Sequence, residues 1–161
     1  MKQELAVKVA DQAVAGADQT LVTLGLGSCV AIALFDPVAR VGGLAHVLLP
    51  EPSLSRDASN PAKFATTAVP LLIARMLESG ARRARLEARL VGGASMFGTL
   101  LTSTSFNMGE RNVIAARAAL QAAGIPIRGE EVGGERGRSV RFHVGDGRVV
   151  VSSVACEPIV L

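Results

Sequence analysis

Apolar residues come in short runs separated by glycine, proline and aspartate, a rhythm of strands more than of long helices. Glu4–Val9 and Thr20–Leu24 read as the first strands, joined by a loop rich in Gly and Ala. Val30–Phe35 (VAIALF) is a short apolar run that ends at Asp36-Pro37, a turn signal. Val41–Leu49 (VGGLAHVLL) is a second such run, ending at Pro50. The short link between them predicts adjacent antiparallel strands. Glu51–Asn60 is polar and turn-rich and reads as a surface loop.

The period then changes. Asn60-Pro61 is a helix start, with Asn as N-cap and Pro at the first helical position. Phe64, Ala68, Leu71, Leu72 and Met76 recur at helical spacing up to Ser79, and Gly80 supplies the stop. Pro70 falls inside this helix and is expected to kink it. Arg85–Val91 reads as a strand running into Gly92-Gly93-Ala94-Ser95-Met96-Phe97. This glycine pair is either a tight turn or a backbone wall beside a site or partner. It is not a dinucleotide fingerprint, because the third glycine is missing. Leu100–Phe106 reads as an irregular loop rich in Ser and Thr. A second helix spans about Gly109–Ala123, with Asn107 as cap and Gly124 as stop. Ile125–Val132 reads as a strand and Gly133–Arg138 as a flexible loop. Ser139–Val144 and Arg148–Val154 form a hairpin about Gly145-Asp146-Gly147, and His143 is a strand-face residue within it.

Many strands and two substantial helices predict an α/β (α+β) sandwich of mixed β-sheets with the helices on their outer faces. A chain of 161 residues makes this one domain. Hydrophobic residues are 49% of the chain but aromatics only 3%, so the core must be built from Ala, Val, Leu and Ile. No apolar run approaches the ~20 residues of a membrane helix. Glu4 and Asp11 interrupt the stretch a signal peptide would need, so residence in the cytoplasm is expected. There the two cysteines, Cys29 and Cys156, are free thiols. The net charge of +3 is carried mostly by Arg, most densely at Arg82, Arg83, Arg85 and Arg89. Without interleaved aromatics this cluster does not signal nucleic-acid binding. It reads as a solvated surface or a docking patch for an acidic protein partner.

Composition leaves few residues able to do chemistry. Cys29 lies in Thr23-Leu24-Gly25-Leu26-Gly27-Ser28-Cys29-Val30, and His46 follows seventeen residues later. In an antiparallel pair, opposite residues have a constant sum of residue numbers. Cys29 and His46 share a face only if that sum is odd. A turn centred between Val38 and Ala39 makes it odd and sets His46 opposite Ala31, diagonal to Cys29, at roughly 7–8 Å. Two readings remain open. Cys29 can be a small buried hydrophobe and His46 a satisfied core residue. Alternatively, Gly25 and Gly27 free the backbone for an exposed nucleophile with an N–H anion pocket, and Gly42 and Gly43 thin the wall beside His46. On the second reading a thiolate forms beside an imidazolium and attacks an acyl carbon.

The run around Cys29, then Phe35-Asp36-Pro37 and Gly43-Leu44-Ala45-His46-Val47-Leu48-Leu49-Pro50, resembles the chemoreceptor glutamine deamidase (CheD) family of bacterial chemotaxis. So do Gly92–Phe97, Asn107-Met108-Gly109-Glu110-Arg111-Asn112, and Gly133-Gly134 with Gly137-Arg138-Ser139-Val140. The blocks run in order from about residue 20 to 150. The resemblance implies Cys29 as nucleophile, His46 as base and Thr23 as the residue that orients the imidazole. The substrates it implies are glutamines of chemoreceptor cytoplasmic domains, and the partner a CheC-type phosphatase. The chemistry calls for no metal and no cofactor. The Gly27 and Ser28 backbone is expected at the oxyanion, and Gly25, Leu26, Gly92, Gly93 and Phe97 at a substrate or partner rim. The stretch Gly98–Phe106 looks longer than the family pattern. Two other functions use the same residues: a noncatalytic chemotaxis adaptor, and a different acyl transfer such as receptor methylester hydrolysis or transglutamination.

Overall fold

The computed structural model describes residues 3–95 and 107–161. Among the described residues, ten strands form two mixed five-stranded sheets. The first sheet runs β1 (Gln3–Ala6), β3 (Gln19–Leu26), β8 (Arg138–His143), β9 (Arg148–Ser152), β10 (Ile159–Val160). The second runs β2 (Asp11–Ala15), β5 (Val41–Val47), β4 (Val30–Asp36), β6 (Glu87–Gly92), β7 (Ile127–Val132). The β1–β3 and β6–β7 pairs are parallel and the others antiparallel. Helices α1 (Ala65–Glu78) and α2 (Met108–Ala122) complete a single α+β domain.

The sheets pack face to face through Leu21, Val140, Phe142, Val149 and Val151 on one side, and Ala31, Ala33, Phe35, Leu44 and Val91 on the other. Phe35 and Phe142 meet edge to face, with ring centroids 5.9 Å apart. Both helices lie on the outer face of the second sheet, where Val30, Ile32, Leu34, Ala45 and Val47 meet Leu72, Met76, Val113 and Leu120. The expected helical cover on both sheets is thus confined to one. The cause is in the strands. VAIALFD of β4 is buried at every residue, as a strand covered on both faces must be. RSVRFH of β8 alternates, so Arg141 stays in solvent on the uncovered face.

Several boundaries move. The stretch read as a Gly- and Ala-rich loop contains β2, which pairs with β5 and sets Asp11 opposite His46. Asn60 does cap, accepting from the Ala62 N–H, but what it caps is a 3₁₀ turn, Pro61–Lys63. The α-helix starts after Phe64 and continues through Pro70, and Gly80 follows it with φ +101°. Arg83–Arg85 forms another 3₁₀ turn, so β6 begins at Glu87. In α2 the Asn107 side chain accepts from the Glu110 N–H, and Gly124 follows with φ +73°. The arginine cluster is split: Arg85 binds buried Asp36, Arg83 donates to the Ala123 carbonyl, and Arg89 pairs with Glu87.

Asp36 also accepts the N–H groups of Val38, Ala39 and Arg82. Burial alone would raise its pKa, but these bonds outweigh burial and hold the carboxyl below its ordinary value. A carboxylate so tied pins the β4–β5 turn, and with it the register that places His46 opposite Ala31.

Candidate active site

Cys29 sits where the chain leaves β3, bends at Gly27-Ser28 and enters β4. Strand alternation sends Val30 to the helices and Cys29 and Ala31 to the inter-sheet layer. His46, opposite Ala31, shares that face and is 1% exposed. Thr23 arrives from the other sheet. Its Oγ1 lies 2.7 Å from His46 Nδ1 and 2.7 Å from the Val7 carbonyl oxygen. A carbonyl only accepts, so the hydroxyl proton goes to Val7 and Thr23 must accept from Nδ1–H. This assigns the tautomer: the proton is on Nδ1, and Nε2 presents a bare lone pair. Nε2 is buried and has no hydrogen-bond partner among the described residues. Cys29 and His46 therefore share a face without a thiol–imidazole hydrogen bond, an arrangement that can tighten when substrate binds.

Burial acts on both groups. It pushes the Cys29 thiol up, opposed in part by the residue's own N–H, and it pushes the His46 imidazole down. Both shifts favour the uncharged forms. The thiolate–imidazolium pair expected from the sequence is disfavoured, because each charge would be carried in a desolvated site. His46 is then suited to take the proton during attack. Alkylation of Cys29 by iodoacetamide, measured on Cys156→Ser protein, is expected to rise with pH about a midpoint above the ~8.5 of a free thiol. A midpoint below that value would show a preformed ion pair.

The Cys29 loop is held by its carbonyls. The Gly27 carbonyl accepts from Ala94 N–H at 2.9 Å and the Cys29 carbonyl from Gly93 N–H at 2.8 Å. The Ser28 carbonyl accepts from Asn112 Nδ2 at 2.9 Å, and the same amide donates to the Leu48 carbonyl at 3.0 Å. Gly92, with φ +110°, approaches so closely that a Cβ would strike the Cys29 carbonyl oxygen. A Cβ at Gly93 would strike Val113. Both glycines are buried and form a wall behind the loop, where the sequence placed them at a rim. Leu26, also expected there, fills the inter-sheet core. Gly25 is exposed with φ +69°, Gly27 and Ser28 are half-buried, and Phe97 lies outside the described residues. From Gly25 an open groove of about 660 Å³ runs past Glu135, Arg136, Ser139 and Ser153. Cys156 is exposed, contacts Arg136, and is unpaired, as is Cys29. Among the described residues no three His, Cys, Asp or Glu side chains gather to hold a metal.

Two contributors were not anticipated. Val7 acts through its carbonyl, which leaves no side-chain signal. Asn112 had one: it sits on the buried stripe of α2 with Gly109, Val113, Ala116 and Leu120, where an apolar residue is expected.

Residues 48–153 match the family described as CheD chemotactic sensory transduction. A protein of Caldanaerobacter subterraneus subsp. tengcongensis named probable chemoreceptor glutamine deamidase CheD is 46% identical over 150 residues, covering 93% of each chain. The chain belongs to the CheD family. A CheD relative from Geobacter metallireducens is 44% identical and covers 96% of each chain, and one from Desulforamulus reducens is 42% identical, covering 94% of this chain and 91% of the relative. The first is named probable chemoreceptor glutamine deamidase CheD 2 and the second probable chemoreceptor glutamine deamidase CheD. The CheD fold extends to distant chains: a Neisseria meningitidis protein of the DUF152 family superposes with a TM-score of 0.53 at 11% identity, over 92% of this chain and 73% of its own. No helix among the described residues is long and apolar enough to cross a membrane.

Proposed function

We propose that this CheD-family chain, a hydrolase of glutamine side-chain amides, converts chemoreceptor glutamines to glutamate through a thioester on Cys29. The observation that carries the reading is the Val7–Thr23–His46 chain, which leaves Nε2 bare on the face that Cys29 shares. The steps balance. Nε2 takes the thiol proton as Sγ bonds to the amide carbon, giving a tetrahedral oxyanion. The imidazolium passes that proton to the departing nitrogen, the C–N bond breaks, and ammonia leaves. Water then attacks the thioester, His46 takes its proton, the C–S bond breaks, and the proton returns to sulfur. Backbone N–H groups at Ser28 and Cys29 are the oxyanion donors in this scheme, each worth about 3–4 kcal/mol. Thr23 supports both stages by holding Nδ1–H as the ring gains and loses charge.

The substrate follows from the relatives' names and from the shape of the surface. The open groove begins at Gly25, four residues before Cys29, and offers no enclosed pocket, so a free amino acid would gain little binding area there. A receptor helix lying across it would gain more, and those remote contacts would position the amide. Receptor cytoplasmic domains as substrate place the enzyme in the cytoplasm, and the family resemblance adds a CheC-type phosphatase as its second partner. Deamidation of a receptor cytoplasmic fragment is expected to exceed that of free glutamine by at least about 100-fold in kcat/KM. Comparable values would favour a small-molecule amidase. Release of methanol from a methylated fragment, with no ammonia from the amide form, would favour ester hydrolysis.

A further inference from the structure

Asn112 is fully buried and belongs to a helix that contributes no other polar side chain to the nucleophile loop among the described residues. Its carboxamide has one possible orientation. The two atoms facing it are carbonyl oxygens, of Ser28 and Leu48, and only the NH₂ end can serve them. The Oδ1 end is left buried without a partner among the described residues. A buried acceptor without a donor is unfavourable, so a residue serving packing alone would be better replaced by an apolar one.

What the amide holds is more informative than that it is buried. Ser28 O belongs to the peptide that carries the Cys29 N–H. In a trans peptide the C=O and N–H point in opposite directions. Holding the carbonyl against α2 therefore turns the Cys29 N–H away from α2. The preceding peptide is held in the same way: Gly27 O is bound by Ala94 N–H, which turns the Ser28 N–H away from that wall. Neither amide donates to a backbone carbonyl among the described residues. The second acceptor, Leu48 O, lies two residues beyond His46 on the same strand run. One carboxamide thus joins the loop carrying Cys29 to the segment carrying His46.

We infer that Asn112 is a positioning residue for the deamidation proposed above, on which this inference rests: its NH₂ group aims the Cys29 N–H at the oxyanion and sets the spacing between the thiol and the imidazole. The experiment is Asn112→Leu, which keeps the branching and removes both donors without adding charge. Asn112→Ala is the second variant, should the first fail to fold. Three readouts are taken on whichever variant melts cooperatively: kcat and KM on a receptor cytoplasmic fragment, and the rate of Cys29 alkylation by iodoacetamide on a Cys156→Ser background. Alkylation is a displacement that develops no oxyanion, so it reports the thiol alone. The expected result is a kcat lower by about 10²-fold, the loss typical of one oxyanion donor, with KM and alkylation rate within about twofold of the parent. A kcat within about threefold of the parent would overturn the inference. So would alkylation falling in step with kcat, or failure of both variants to fold, since either would make Asn112 a structural residue only. If the parent chain itself releases no ammonia from the fragment, the deamidase reading fails; an active parent with an equally active variant fails Asn112 alone.

Discussion

Cys29→Ala is expected to lower deamidation of a receptor fragment by at least about four orders of magnitude, while Cys156→Ser keeps the parental rate. The difference rests on position. Cys29 lies on the inter-sheet face shared with His46, in a loop whose carbonyls are bound by Gly93, Ala94 and Asn112. Cys156 is exposed after β9, on a segment that shares no contact with His46 or Thr23 in the bonds described above. Removing Sγ leaves no atom to carry the acyl group, so water would have to attack the amide directly. Ammonia release, followed with a coupled assay, checks both variants.

His46→Ala is expected to cost about 10²–10⁴-fold in kcat, the range of general acid–base catalysis. Its effect is large for a reason specific to this site. Burial pushes the Cys29 thiol up and so works against a standing thiolate. The base must act in the same step as the attack, and it must also supply the proton that lets ammonia leave. The pH dependence gives a second check. With the imidazole pushed down by burial, the basic form persists below the ordinary histidine pKa of about 6.5, and kcat/KM is expected to fall only on the acid side of that value. In His46→Ala that acid limb should vanish. An unchanged limb would assign it to another group.

The β4–β5 hairpin was legible because two local signals agree there: the Asp36-Pro37 turn and the short apolar run on either side of it. The odd sum was one register the sequence allowed without fixing it, and the structure adopts it, with Ala31 opposite His46. Helix α2 was legible for a similar reason, with Asn107 at its start and Gly124 after its end. What the local pattern could not convey is contact between distant strands. Asp11–Ala15 is too short and too rich in alanine to stand out as a strand, and it becomes one only because β5 offers it an edge. Thr23 entered through a family resemblance, since the spacing of Thr23 and His46 says nothing about two sheets facing each other. The charge state of the site depends on depth, which the sequence does not carry: with Cys29 9% exposed, burial works against the ion pair that an open Cys–His pair would favour. For Gly92 and Gly93 the sequence left a tight turn and a backbone wall both open, because their chemistry is permissive; the close backbone of Cys29 and the Val113 side chain favour the wall.

The measurement that bears most directly on the thioester route is peptide mass spectrometry of a receptor cytoplasmic fragment incubated with the protein in ¹⁸O-labelled water. Parent protein is expected to convert particular glutamines to glutamates that each carry one solvent oxygen, and Cys29→Ala protein to leave the same peptides unmodified. Deamidation by Cys29→Ala protein at the parental rate would contradict the account.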